Sequence, residues 1–283
     1  MPVHIVTDST TDLPGSVRAA AAIRVVPLRV HFGDEVFRDR VDLSDEAFVS
    51  RLAGALALPR TSQPPPGDFE AVYRELLRGP EDRVVSLHLA ERLSGTCGSA
   101  RTAAMAVDPD RIQVIDTRTV SLAAGFLVLE AAALAAQGRS AAEVVAAVGA
   151  LLPGSGGVAA VDTLRYLERG GRISRVQAVV GSVLSVKPVV GLEQDGAVVQ
   201  LCRVRSRGQA RARLLELLAA RGPLRRCGVI HVGAPDAAAG FQAEVAARYP
   251  RLEVLCQHLS PVLATHTGPG LLGCCWLVAP PAG

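Results

Sequence analysis

Hydroxyls, carboxylates and one imidazole recur in short polar stretches far apart along the chain. They are Thr7-Asp8-Ser9-Thr10-Thr11-Asp12, Thr61-Ser62-Gln63-Pro64, Leu93-Ser94-Gly95-Thr96 and Thr265-His266-Thr267-Gly268-Pro269-Gly270. Ser and Thr hydroxyls, an imidazole N–H and free amides at the start of a helix are the donors that make a buried carboxylate tolerable, because each replaces a hydrogen bond lost with water. A protonated His266 would add a countercharge; a neutral one could still donate one bond. Two other chemistries use the same residues. Ser94 as nucleophile and His266 as its base would make a hydrolase or acyl-transfer enzyme, with Asp8 or Asp116 as third member, although no G-x-S-x-G elbow is present. The Ser94 to Thr96 turn, between a predicted strand and a predicted helix, would suit a phosphate or nucleotide.

Each stretch also has a purely structural use. Ser9, Thr10 or Asp12 can cap a helix starting near Pro14, and Ser94 or Thr96 can cap the next one. The prolines Pro64, Pro65 and Pro66 favour a stiff extended backbone, so Thr61 and Ser62 are expected to be displayed outside any ladder, or to lie in a linker. Gly268-Pro269-Gly270 demands a sharp turn, which places Thr265 and His266 in a loop after the apolar run Pro261 to Ala264.

The elements that would hold these stretches alternate between strand and helix. Residues 3 to 6, Ile23 to Phe32, Glu35 to Arg38, Arg83 to Leu89 and Ile112 to Ile115 read as strands. Helices are expected over Glu46 to Leu56 after the cap Ser44, and over Asp68 to Leu77, Ala100 to Val107, Ala123 to Gln137 and Ala141 to Leu152. Pro153 to Gly157 looks like a boundary, which gives an N-terminal α/β domain over 1–155 and a C-terminal one over 156–283. In the second half a strand over Val158 to Val161 leads to a short helix stopped by Gly170-Gly171, with Arg172 on an exposed corner. Asp195-Gly196 marks a hairpin, Arg203, Arg205, Arg207, Arg211 and Arg213 form a basic cluster, and Val229 to Val232, Ala237 to Tyr249 and Val254 to Cys256 continue the α/β pattern.

Composition narrows the classes. The chain has 283 residues, 49% hydrophobic and 20% charged, which argues against disorder. A net charge of +3 with only 4% aromatics argues against a nucleic-acid surface. The six cysteines show no C-x-x-C pair and no zinc spacing, so no metal and reduced thiols in a cytoplasmic protein are expected. No secretory leader is visible, and Val120 to Ala136, interrupted by Glu130, is too short to span a bilayer. No G-x-x-x-x-G-K-[ST] loop occurs, so the chain should hold no ATP or other cofactor of its own.

Taken together, the polar stretches, with Tyr166-Leu167-Glu168-Arg169-Gly170-Gly171-Arg172-Ile173 and Lys187-Pro188, resemble the DegV family. That family comprises bacterial fatty-acid-binding proteins and includes the carrier subunit of fatty acid kinase. The resemblance implies two α/β domains with one long-chain fatty acid in a tunnel between them. The carboxylate would be met by Thr61, Ser62, Ser94 and Gly95 from the first and by Thr265 and His266 from the second. It further implies presentation of the acid to a separate ATP-dependent kinase, docked through Arg172, Arg203 and Arg205, and transient contact with a membrane surface. It departs from the family at Pro65, where serine is common, and at Cys97, where tyrosine is common.

Overall fold

The computed structural model describes residues 2–55, 57–173 and 186–279. β1 (Val3–Asp8), β2 (Arg24–Val26), β6 (Arg83–His88) and β7 (Ile112–Asp116) form a parallel sheet in the order β2-β1-β6-β7. β3 (Arg29–Phe32), β4 (Glu35–Arg38) and β5 (Arg60–Ser62) make a small antiparallel sheet, order β4-β3-β5. The second half builds a mixed six-stranded sheet from β8 (Ser155–Ala160), β9 (Lys187–Leu192), β10 (Val198–Val204), β11 (Leu224–His231), β12 (Val254–His258) and β13 (Leu272–Val278), ordered β10-β9-β8-β13-β11-β12. α1 (Gly15–Ala20) and α2 (Asp45–Gly54) belong to the first part of the chain; Ser44 caps α2 by accepting the Ala47 amide, and Phe48 and Leu52 are its buried residues. Ala55 lies just past the end of α2, and Leu56 is outside the described residues.

Three elements depart from the sequence reading. The expected strand Ile23 to Phe32 is two strands in two different sheets, β2 and β3, parted at Pro27, which has no amide to carry a ladder on. The strand expected from Val158 starts at Ser155, so Gly156 and Gly157 lie inside β8 while Gly154 sits in the turn before it. A Cβ at Gly156 would come within 2.9 Å of the Trp276 ring, so this glycine serves packing, not flexibility. Finally, Thr265, His266 and Thr267 belong to the last turn of a helix, α10 described below, not to a loop.

α3 (Pro66–Leu76) and α4 (Thr96–Val107) cover one face of the parallel sheet, where Phe69, Tyr73, Ala100 and Ala103 pack on Val6, Val26 and Val84. α5 (Ser121–Ala136) lies on the other face and also touches the six-stranded sheet: Leu122, Phe126 and Leu127 share one core with Ile5 and Leu87 on one side and Ala159, Ile230 and Cys275 on the other. A helix apolar on all sides needs cover on all sides, and from Ser121 to Ala132 all its residues but Leu129 are buried; only its last turn opens to solvent. Its Glu130 is 3% exposed and accepts bonds from Arg225 (2.5 Å) and Arg226 (2.7 Å), which answers the cost of burying it. α6 (Ala141–Leu151) follows, its N-terminus closed by a capping box between Ser140 and Glu143. α7 (Arg165–Arg169) ends at Gly170-Gly171, and Gly171 has φ +67°. α8 (Arg207–Ala219) and α9 (Pro235–Arg248) back the second sheet through Leu214, Leu218, Phe241 and Val245.

α10 (Pro261–Thr267) starts at the Ser260 cap, with Pro261 in its first turn, and stops at Gly268, φ +76°. No described helix is long and apolar enough to cross a membrane.

Candidate functional site

β5 and α10 bring Thr61 and His266 together across 205 residues of sequence: Thr61 Oγ1 lies 2.7 Å from His266 Nε2. Thr61 was expected outside any ladder, yet it pairs with Val30 of β3 while its hydroxyl still points at the histidine. Ser62 takes the opposite face, as neighbours on a strand must, and its hydroxyl meets His31 Nε2 at 2.9 Å. Ser94 closes the site from the turn before α4, its hydroxyl 2.9 Å from that of Thr96. Gly95 is where Gln63 folds over the turn; a Cβ there would come within 2.7 Å of the Gln63 amide nitrogen.

Arg172 departs from the expectation of an exposed corner. Its side chain is part-buried and donates from Nε to the Leu93 carbonyl (3.2 Å) and from Nη1 to the Gly170 carbonyl (2.6 Å). It lies close enough to His266 to act on it. The imidazole is pulled down to about 4, first by burial and then by the like charge of Arg172. His266 is therefore neutral at pH 7. Its Nδ1 is buried without a partner among the described residues and faces Gly170, where a Cβ would collide with it. Placing the proton on Nε2 spares a buried N–H without an acceptor, which costs about 1–3 kcal/mol. The imidazole then donates to Thr61, and the Thr61 proton is free to donate into the cavity. Thr265 is spent otherwise: its hydroxyl donates to the Pro261 carbonyl at 2.8 Å and has no proton left for an anion.

Thr61, Ser62, Gln63, Ser94, Arg172 and His266 line one cavity, about 630 Å³ of atom-free space counted out to open solvent. Val120, Leu167, Val198, Leu263 and Thr267 line both it and a second space of about 570 Å³, whose other walls include Ala159, Val190, Ile230, Leu259, Leu271 and Cys275. The second is walled mainly by apolar side chains, with Ser121 and Thr267 also on its lining. Thr61, Arg172 and His266 also border a third space, together with Arg60, Arg169, Tyr166 and Thr265. The polar group is thus shared between an arginine-rich pocket and the cavity that joins the apolar slot.

The hydrolase arrangement is not assembled. Ser94 and His266 make no bond to each other, Asp8 bonds His88, and Asp116 accepts the amides of Glu91 and Arg118. A different chain was invisible in sequence: Asp8 Oδ2 to His88 Nδ1 (3.1 Å), His88 Nε2 to Ser86 (2.7 Å) and Tyr73 to Ser86 (2.8 Å). All four side chains are fully buried, so no substrate meets them. Cys97 is also buried, its thiol near the Leu89 carbonyl at 3.7 Å, and Pro65 precedes α3; neither lines the cavity. Arg203 and Arg205 are exposed and stand away from the cavity lining. The residues that sequence reasoning missed are Gln63, inside a motif already noted, and Arg172 as a wall of the site.

These features meet a known family. The DegV family profile, described as an uncharacterised protein family, matches residues 2–279, and the chain belongs to that family. A fatty-acid-binding DegV family protein from Thermus thermophilus superposes with TM-score 0.91 at 38% identity, covering 99% of this chain and 100% of the other. DegV of Bacillus subtilis, a fatty acid binding protein, gives 0.89 at 36%, with the same coverage. A stearic-acid-binding protein from Eubacterium ventriosum gives 0.88 at 25%, covering 98% of each chain.

Proposed function

We propose that this protein is a carrier that binds a single long-chain fatty acid and presents its carboxylate to a separate fatty acid kinase. The observation that carries the reading is the join between a polar cavity and an apolar slot sharing five lining residues. A head group and a chain require that sequence of environments. About 15 methylenes at roughly 0.8 kcal/mol each give at most ~12 kcal/mol, less the cost of association. The tail therefore sets affinity, and Thr61, Ser94 and Arg172 set orientation. Because His266 is neutral, Arg172 is the countercharge in this reading, and His266 orients the Thr61 hydroxyl. Gly95 leaves room for Gln63 over the same turn.

The arginine-rich pocket supports presentation. Arg60, Arg169 and Arg172 border it, so a carboxylate held beside Thr61 and Arg172 faces a basic surface suited to phosphoryl transfer by a partner. Arg203 and Arg205, both exposed, remain available for docking that kinase. Residues 1–155 and 156–283 are the two domains in this reading, with the slot between them, and the carrier works in the cytoplasm, taking acid from a membrane surface by transient contact. Mass spectrometry of an organic extract of the purified protein tests the core of it. One fatty acid per chain is expected; no bound acid, together with no displacement of a fluorescent fatty acid from the protein, refutes it.

A further inference from the structure

A second polar cluster, outside the head-group site, ties down the helix that carries His266. Asp12 Oδ1 accepts the Ser260 amide at 2.9 Å and Arg40 Nη1 at 3.0 Å, and Asp12 Oδ2 accepts the Ser121 hydroxyl at 2.6 Å. Asp39 accepts the Val262 amide at 3.4 Å and the Ser9 hydroxyl at 2.6 Å. Arg40 also donates to Asp45 at 2.9 Å and to the His258 carbonyl at 2.5 Å. Both aspartates of the first half thus hold amides at the start of α10, and four chain segments meet at one guanidinium.

Two further observations set this cluster apart from ordinary surface pairs. Asp12 and Asp39 are each 1% exposed. Asp12, Arg40 and Ser121 have φ of +53°, +56° and +57°, a region that non-glycine residues enter only where the surroundings compel it. What the cluster holds is the wall of the slot: Ser121 and Leu259 line the apolar space, and Val262 and Leu263 line the head-group cavity.

We infer that Asp12 and Asp39, gathered by Arg40, are positioning residues that dock α10 so that His266 meets Thr61, and that this clasp limits how fast the slot exchanges its ligand. The positioning part stands on geometry alone; the exchange part rests on the fatty-acid reading. Asp12 and Asp45 share the Arg40 guanidinium and Asp39 lies within reach of its charge without a bond to it, so the cluster cannot hold all its charges cheaply. Burial raises Asp12 to about 6 against the pull of Arg40, and raises Asp39 to about 7 against the bond from Ser9. The other charged or titratable groups facing the pair are Arg18 from α1, Asp45 from α2, His258 from β12 and Cys275 from β13.

The test follows the His266 ring by NMR in the ligand-free protein while stopped-flow displacement measures release of a fluorescent fatty acid. Since His266 itself titrates near 4, a step in its ring shift between about pH 6 and about pH 7 reports the clasp. That step should be present in the unaltered chain, and in Asp39→Asn only the part near pH 6 that belongs to Asp12 should remain. Asp12→Asn and Asp39→Asn should each release ligand about tenfold faster or more, with a smaller change in affinity. Glu130→Gln, which weakens the contact of α5 with Arg225 and Arg226 of β11 and touches no residue of the clasp, should lower stability and leave both readouts unchanged. Absence of the step in the unaltered protein, or folded Asp39→Asn with unaltered His266 shifts, overturns the positioning role. Unchanged release in folded Asp39→Asn overturns the exchange role. An unaltered protein that binds no fatty acid refutes the carrier reading alone, because the ring titration needs no ligand.

Discussion

Replacing Arg172 by glutamine isolates the charge at the head-group site. The guanidinium is fixed by two carbonyls, those of Leu93 and Gly170, so it is already oriented when a ligand arrives. A hydrogen bond to a charged group contributes about 1.5–3 kcal/mol, and each 1.4 kcal/mol is tenfold. Arg172→Gln should therefore weaken binding of a long-chain acid by about 10–150-fold at neutral pH. Binding of the matching long-chain alcohol should stay within about twofold, because the tail contributes the same burial to both. The His266 ring should also titrate higher than about 4 once the like charge is gone, yet stay below its ordinary 6.5, since burial is the larger cause. Competition of acid and alcohol against one fluorescent fatty acid measures both affinities. Equal losses for the two ligands would mean that Arg172 acts only through packing, and no loss for the acid would remove it from the site.

Other outcomes follow from the same geometry. Thr61→Val keeps the shape of the side chain and removes the hydroxyl, so acid affinity should fall about 5–30-fold by displacement assay, with His266 left lacking its one partner. Ala159→Phe fills the apolar slot from β8 and should shift the bound acids toward shorter chains in the extract; an unchanged chain-length profile would place the tail elsewhere. Asp12 and Asp39 titrate above their ordinary 3.8 in the folded chain, so the folded state keeps protons that the unfolded state has released. Their contribution to stability is present at low pH and is lost as pH rises through about 6 to 7. Urea midpoints should be lower at about pH 8 than at about pH 5 on this account, and Asp39→Asn should flatten the difference.

Much of the fold was legible because local rules and the tertiary structure agree. Ser44 before α2, Asp195-Gly196 between β9 and β10, and the alternation of strands with helices each carry a local physical cause. Thr61, Ser94 and His266 stood out in sequence as hydrogen-bonding side chains beside apolar runs, and the fold brings all three to one cavity. Two misreadings were of local signals: Pro27 splits a run of apolar residues between two sheets, and Ser260-Pro261 start a helix that carries His266 almost to the Gly-Pro-Gly turn. Gly156 has a cause beyond local reach, the Trp276 ring for which it leaves room. Arg172 was misplaced for the same reason, since only the fold brings the Leu93 carbonyl to it.

The position of α5 bears on how such a chain can be made. By the time a ribosome has released this helix, the parallel sheet is available to cover one of its flanks, but β8, β11 and β13 have yet to be synthesised. An oily surface must therefore wait, exposed, for nearly half of the polypeptide. Expression of residues 1–155 by themselves should yield aggregates or chaperone-bound material, and supplying 156–283 as a second polypeptide should restore solubility.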